Sequence, residues 1–139
     1  MSDKTLPRVG CGAVLIQQNQ LLLVHRKRDP ERDHWGLPGG KVEPFETLPQ
    51  AVVREIFEET NIQIKELSLL CIVDQMDPAQ NEHWVAPVYR AERFEGEPTT
   101  KEPEALAGVA WFSLNALPAK LTHATKVALN ALHKQGHIA

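Results

Sequence analysis

An α/β fold, with a mixed β-sheet sandwiched between helices, is predicted by three features of the 139-residue sequence. Apolar, β-branched runs of strand length recur along the chain. One mid-chain segment has helical periodicity with capping residues at both ends, and a second helical segment closes the C-terminus. The length suits a single domain, residues 1–139, large enough to bury a core without disulfides or structural metals.

Val9 to Ile16 and Leu21 to His25 are apolar runs joined by QQNQ, with Asn19 as the turn residue, and read as a hairpin. The segment RKRDPERDHWGLPGG that follows is charged and rich in Pro and Gly, which predicts an exposed loop ending in a tight turn. Thr47 and Gln50 form a capping-box pattern and Pro49 falls in the first turn, so a helix is expected over Leu48 to Thr60. Asn61 should end it, because Asn tolerates the left-handed conformation of a C-cap. Strands are expected at Leu67 to Gln75 and His83 to Phe94, linked by MDPAQNE, and at VAWF after the loop EGEPTTKEPEALAG. Ser113 caps a short turn and Pro118 breaks the chain. Thr122 then caps a last helix carrying Val127, Leu129 and Leu132.

Composition narrows the function classes. With 42% hydrophobic and 24% charged residues the chain is an ordinary globular one, and a net charge of −3 gives no reason to expect polymeric nucleic acid or an acidic membrane as a partner. No apolar run approaches the roughly 20 residues needed to span a bilayer, and MSDKTLPRVG has no apolar signal core, so a cytoplasmic location is expected. Cys11 and Cys71 lie far apart in apolar runs and read as buried free thiols without chemistry.

The mid-chain helix carries the chemistry. At about 100° per residue, Val52, Val53, Ile56 and Phe57 share one side, while Glu55, Glu58 and Glu59 cluster on the other with Arg54 at the border. The small Ala51, one turn earlier on the acidic stripe, would let a ligand come close. Most charged helix faces are simply solvated. Here the acids repel one another by roughly 0.2–0.5 kcal/mol per i, i+4 pair. In the last turn they also oppose the helix dipole, by roughly 0.3–1 kcal/mol each, and one Arg cannot neutralise three of them. A cation from outside the chain is the economical explanation. Oxygen ligands without His or Cys at ligand spacing suit Mg²⁺, with Mn²⁺ as a substitute, rather than zinc. Since Mg²⁺ usually takes one or two carboxylates plus phosphate oxygens, the expected ligand is a phosphate compound. Gly39 and Gly40 are expected to adopt backbone angles closed to other residues and so aim a carbonyl or amide at metal or phosphate. Gly pairs more often only turn a chain, and GLPGGKV lacks the Walker A spacing.

The same residues resemble the signature of the Nudix family, the MutT-like pyrophosphohydrolases: Gly, five residues, Glu, seven residues, then Arg-Glu-apolar-x-Glu-Glu-x-Gly-apolar. Gly40, Glu46, Arg54, Glu55, Ile56, Glu58, Glu59 and Ile62 match, and Asn61 stands where the family has Gly. More loosely, the resemblance extends over most of the chain. It implies the Nudix α/β/α sandwich around a mixed sheet, with Glu58, Glu59 and the Gly40 carbonyl as metal ligands and Glu55 as ligand or base. Arg54 would orient the glutamates, and Glu46 would support the loop–helix junction. Glu102 is the candidate for an additional acid from the later loop, with Glu104 as its rival and a solvated loop carboxylate as the ordinary alternative for both.

The implied substrate is a nucleoside diphosphate linked to another moiety. A (d)NTP cleaved to the monophosphate and pyrophosphate is the first reading, and ADP-ribose or a nucleotide sugar the alternative. The segment LPAKLTHAT lacks the Asn with which some MutT-like proteins read oxidised guanine. A non-catalytic nucleotide sensor, the reading from another class, fits poorly because every acidic position is kept. Arg26 is the candidate phosphate contact, together with Gly39 and Gly40. Trp35 and Trp84 could stack on a base, but aromatics near strands more often belong to the core, and neither is assigned to the site. A homodimer is compatible with the resemblance.

Overall fold

The computed structural model describes residues 6–139, so the first half of MSDKTLPRVG, expected to lack a signal core, lies outside the described residues. In chain order the elements are β1 (Arg8–Val14), β2 (Ile16–Gln17), β3 (Gln20–Arg26), β4 (Trp35–Gly36), β5 (Gly39–Lys41), α1 (Leu48–Thr60), β6 (Gln63–Asp77), β7 (Glu82–Glu95), β8 (Leu106–Ser113) and α2 (His123–Lys134). A 3₁₀ turn, Pro78–Gln80, joins β6 to β7.

The strands form two sheets. In the first, ordered β5-β1-β7-β6, β1 runs parallel to β7 and antiparallel to β5, while β6 and β7 are a long antiparallel pair from Gln63 opposite Glu95 to Asp77 opposite Glu82. In the second, β3 pairs antiparallel with β2, β4 and β8.

Side-chain alternation along the strands feeds two cores. Ala13, Leu15 and Leu22 pack with Ala51, Val52 and Ile56 of α1. Val14, Leu21 and Leu23, the intervening residues, pack with Ala128 and Leu132 of α2. Because neighbours on a strand point to opposite faces, the two helices cover opposite faces, which gives the expected sandwich.

Several expectations change in detail. The hairpin survives only at its tip, where Ile16 and Gln17 pair with Leu21 and Gln20. β1 turns instead to β5 and β7, because its run Gly10–Leu15 is buried on both faces and needs neighbours on each edge. The expected loop before α1 contains β4 and β5, and β6 and β8 begin earlier than predicted. Cys11 is buried, but Cys71 is only partly so; both are free. Among the described residues no helix is long and apolar enough to cross a membrane.

Candidate functional site

Two caps fix where α1 begins and ends, and so which way its acids point. Thr47 Oγ1 accepts from the Gln50 N–H at 3.3 Å, and Gln50 Oε1 accepts from the Thr47 N–H at 2.9 Å. At the other end Asn61 adopts φ 69°, ψ 12°, and its N–H donates to Phe57 O. No basic residue occupies the last turn. The amides of Thr99 and Lys101 donate to Thr60 O and Glu59 O instead, satisfying carbonyls that a helix end leaves bare. This anchors the 97–105 loop beside the acids.

α1 meets β5 at the glycine pair. Gly39 N–H donates to Glu59 Oε1 at 2.7 Å, and the Glu55 carboxylate lies where a side chain on Gly40 would have to be. A Cβ on Gly39 would collide with the backbone of Cys11 and Gly12. Neither glycine has a positive φ. The pair is therefore required for close approach in an extended strand, not for unusual backbone angles as expected.

Arg54 organises the rest. Its Nε and Nη2 form a fork on Glu46 at 2.6 and 2.8 Å, Nη1 donates to Glu55 Oε1 at 2.9 Å and Glu58 Oε2 at 3.2 Å, and Nη2 also reaches Lys41 O. The hydrogen bonds from Arg54, then the Glu43 amide, pull Glu46 down to a pKa of about 2. Glu46 in turn helps keep Arg54 cationic.

Glu59 receives no such partner. Burial drives its carboxyl up to about 8, eased by the Gly39 N–H and reinforced by the charges of Glu102 and Glu55. Glu55 is also raised, first by burial, against the pull of Arg54, with Glu58 and Glu102 adding repulsion. Glu102 is thus brought into the cluster, whereas Glu104 is exposed. Arg26, at the end of β3, is the cation that favours the charged form of Glu59. Its Nε donates to Pro30 O at 2.8 Å.

Two residues depart from their expected places. Ala51 is wholly buried in the core instead of facing a ligand, and Phe57 lies partly exposed with the Lys101 ammonium 4.0 Å from its ring centroid. Burial pushes the Cys11 thiol up to about 11 and Cys71 in the same direction.

Beside the glycine pair opens a cavity of about 460 Å³, whose lining includes Arg26, Gly39, Gly40, Gly12 and Trp84. Trp35 is a core residue, stacked on His25 at 4.6 Å and edge-on to Phe112. Trp84, in contrast, lines the cavity. Gln75 and Glu31 also line it and carried no sequence signal, since a polar residue at a strand end or in a charged loop has no distinguishing pattern.

The residues fit a divalent cation. A buried carboxylate pushed toward protonation, with two more acids beside it, is the arrangement that a bound cation would relieve. Among the described residues no three His, Cys, Asp or Glu side chains form a ready metal group.

The NUDIX domain family model matches residues 6–132. The chain is 36% identical over 112 residues to an ADP-ribose pyrophosphatase from Methanocaldococcus jannaschii, covering 81% of this chain and spanning 65% of that protein's length. It is 32% identical over 110 residues to an 8-oxo-dGTP diphosphatase from Escherichia coli, covering 78% and 84%. The crystal structure of a MutT NUDIX hydrolase from Burkholderia pseudomallei superposes with a TM-score of 0.89 at 51% identity, over 91% of this chain and 98% of that one. On the acid-bearing helix, the glycine pair beneath it and these matches, the chain belongs to the NUDIX domain family.

Proposed function

We propose that the protein is a Mg²⁺-dependent pyrophosphohydrolase, with Mn²⁺ able to substitute, that cleaves the anhydride of a nucleoside diphosphate linked to a further group. The observation that carries this reading is the meeting of Glu59 and Glu55 with Gly39 and Gly40, under the charge of Glu102 and next to a cavity lined by the glycine pair and Arg26.

Glu55, Glu58, Glu59 and Glu102, with the Gly40 carbonyl, would hold the ion. Bound there, it supplies charge neutralisation on the nonbridging oxygens and on the leaving phosphate. Arg54 fixes Glu55 and Glu58 through its Nη1 and is itself fixed by Glu46, so the acids are oriented before substrate arrives. Arg26 offers a positive charge to the phosphates from the cavity wall. As water attacks phosphorus and the bridging P–O bond breaks, one water proton must be accepted. Arg54 occupies Glu55 Oε1, which leaves Oε2 to take it.

A (d)NTP, giving monophosphate and pyrophosphate, requires only the cavity beside the glycine pair. The sugar-linked alternative requires a second place as well. Incubating the protein with Mg²⁺ and a panel of NTPs, ADP-ribose and nucleotide sugars, and identifying the released phosphates, tests the reaction. Cleavage of the anhydride in at least one compound, abolished by chelator, is expected. Binding of several without turnover of any would instead favour the sensor reading.

A further inference from the structure

Glu102 sits on a loop, 97–105, that has no helix or strand of its own. Its charge acts on both Glu55 and Glu59, and like charges at close range repel. Left to that repulsion, the loop would swing its acid out into water. What fastens the loop therefore decides whether Glu102 is in place when a cation arrives.

The two flanks of Glu102 are fastened differently. After it, the Lys27 N–H donates to Ala105 O at 3.0 Å and the Lys27 ammonium donates to Pro103 O at 2.7 Å. Before it, the Thr99 and Lys101 amides donate to Thr60 O and Glu59 O at 2.9 and 3.2 Å. Both of these donors are neutral, and the longer bond lies next to Glu102, so this flank is the weaker one.

The Lys101 side chain reinforces it. Its ammonium stands 4.0 Å from the centroid of the Phe57 ring. Phe57 lies in the last turn of α1, just before Glu58 and Glu59, and is 38% exposed. An aromatic face attracts a cation through its quadrupole, and a lysine stem covers apolar surface while its head stays in water. The same ammonium brings positive charge to a helix end that has no basic residue of its own. Cation–π pairs occur on many protein surfaces. This one joins the residue before Glu102 to the helical turn that bears Glu58 and Glu59, so its slackening passes directly to the acid cluster.

We propose that Phe57 and Lys101 are positioning residues, a latch that holds Glu102 against Glu55 and Glu59 before the cation binds. This rests on the metal site of the pyrophosphohydrolase reading. In this role neither residue touches the ion or the substrate, and both act through Glu102.

Phe57→Leu keeps an apolar side chain and removes the ring, while Lys101→Met keeps the stem and removes the charge. Two quantities are measured on the substrate-free protein: hydrogen exchange at the Lys101 amide, and Mn²⁺ affinity by electron paramagnetic resonance. Loss of an exposed cation–π pair should quicken the exchange by about two- to fivefold in either variant, and no further in the double variant. The Mn²⁺ Kd should rise by about twofold or more in both. Phe57→Tyr, which keeps the ring, should restore both values. In a Glu102→Gln background, Phe57→Leu should still quicken the exchange but leave the Mn²⁺ Kd unmoved. A Kd that does not change in Phe57→Leu and Lys101→Met, or that rises equally in the Glu102→Gln background, would overturn the latch. Absence of Mn²⁺ binding by the wild type overturns the metal site and the latch together. The expected pattern of Mn²⁺ affinities without hydrolysis of any nucleotide supports the latch and rejects only the hydrolytic reading.

Discussion

Glu59 and Glu46 are driven in opposite directions. Glu46 carries the forked Arg54 and is held at about 2. In the folded state its bond contributes stability that is present above the ordinary carboxylate pKa and is lost as pH falls through about 2. Replacing Arg54 by Lys removes the fork, since an ammonium cannot bond both oxygens in that geometry. The Glu46 pKa, followed by NMR, should then climb toward its ordinary value, and kcat should fall while the fold is retained. Glu59 is raised to about 8, so the native protein binds its proton more tightly than the unfolded chain does. That proton-linked stability is present below the ordinary carboxylate pKa and is lost as pH rises through about 8. Metal-free protein should therefore show a falling melting temperature between about pH 5 and 8, with the slope reduced in Glu59→Gln and opposed by added Mg²⁺. A melting temperature that rises over this window in the wild type would show that Glu59 is not the strained group.

At the level of elements, α1 shows what local sequence can determine. Its limits, the capping box and the left-handed Asn61 were all predictable, because each depends on residues within a few positions of one another. Thr47→Ala should cost about 1 kcal/mol in chemical denaturation. Asn61→Gly should leave stability within a few tenths of a kcal/mol, because Gly adopts the left-handed region freely. β4 and β5 were not legible. Strands of two and three residues show no alternation, and GLPGG reads locally as a turn. They exist because β1 and β3 need partners, and such pairing is a property of distant chain segments. The reason for Gly39 and Gly40 was hidden likewise, since it lies in the proximity of Cys11, Gly12 and Glu55.

Across the whole molecule, the sandwich holds α1 against the edge strand β5 while the 97–105 loop brings Glu102 to the same spot. The acids of the helix were readable as a set because helical spacing makes them neighbours. Trp84, Gln75 and Glu31 were not, because they converge only when β6, β7 and the loop after β3 come together around the cavity. The sandwich therefore separates two tasks: a locally encoded helix provides the charge, and nonlocal packing shapes what it acts on. The most direct test is Glu58→Gln, which removes one carboxylate charge with little change in shape at a partly exposed position. Turnover of the best substrate at saturating Mg²⁺ should drop by about a hundredfold or more, with an unchanged circular dichroism spectrum and a melting temperature no lower than that of the wild type. Turnover equal to the wild type in a folded Glu58→Gln protein would contradict the role of the acidic helix as the seat of the metal.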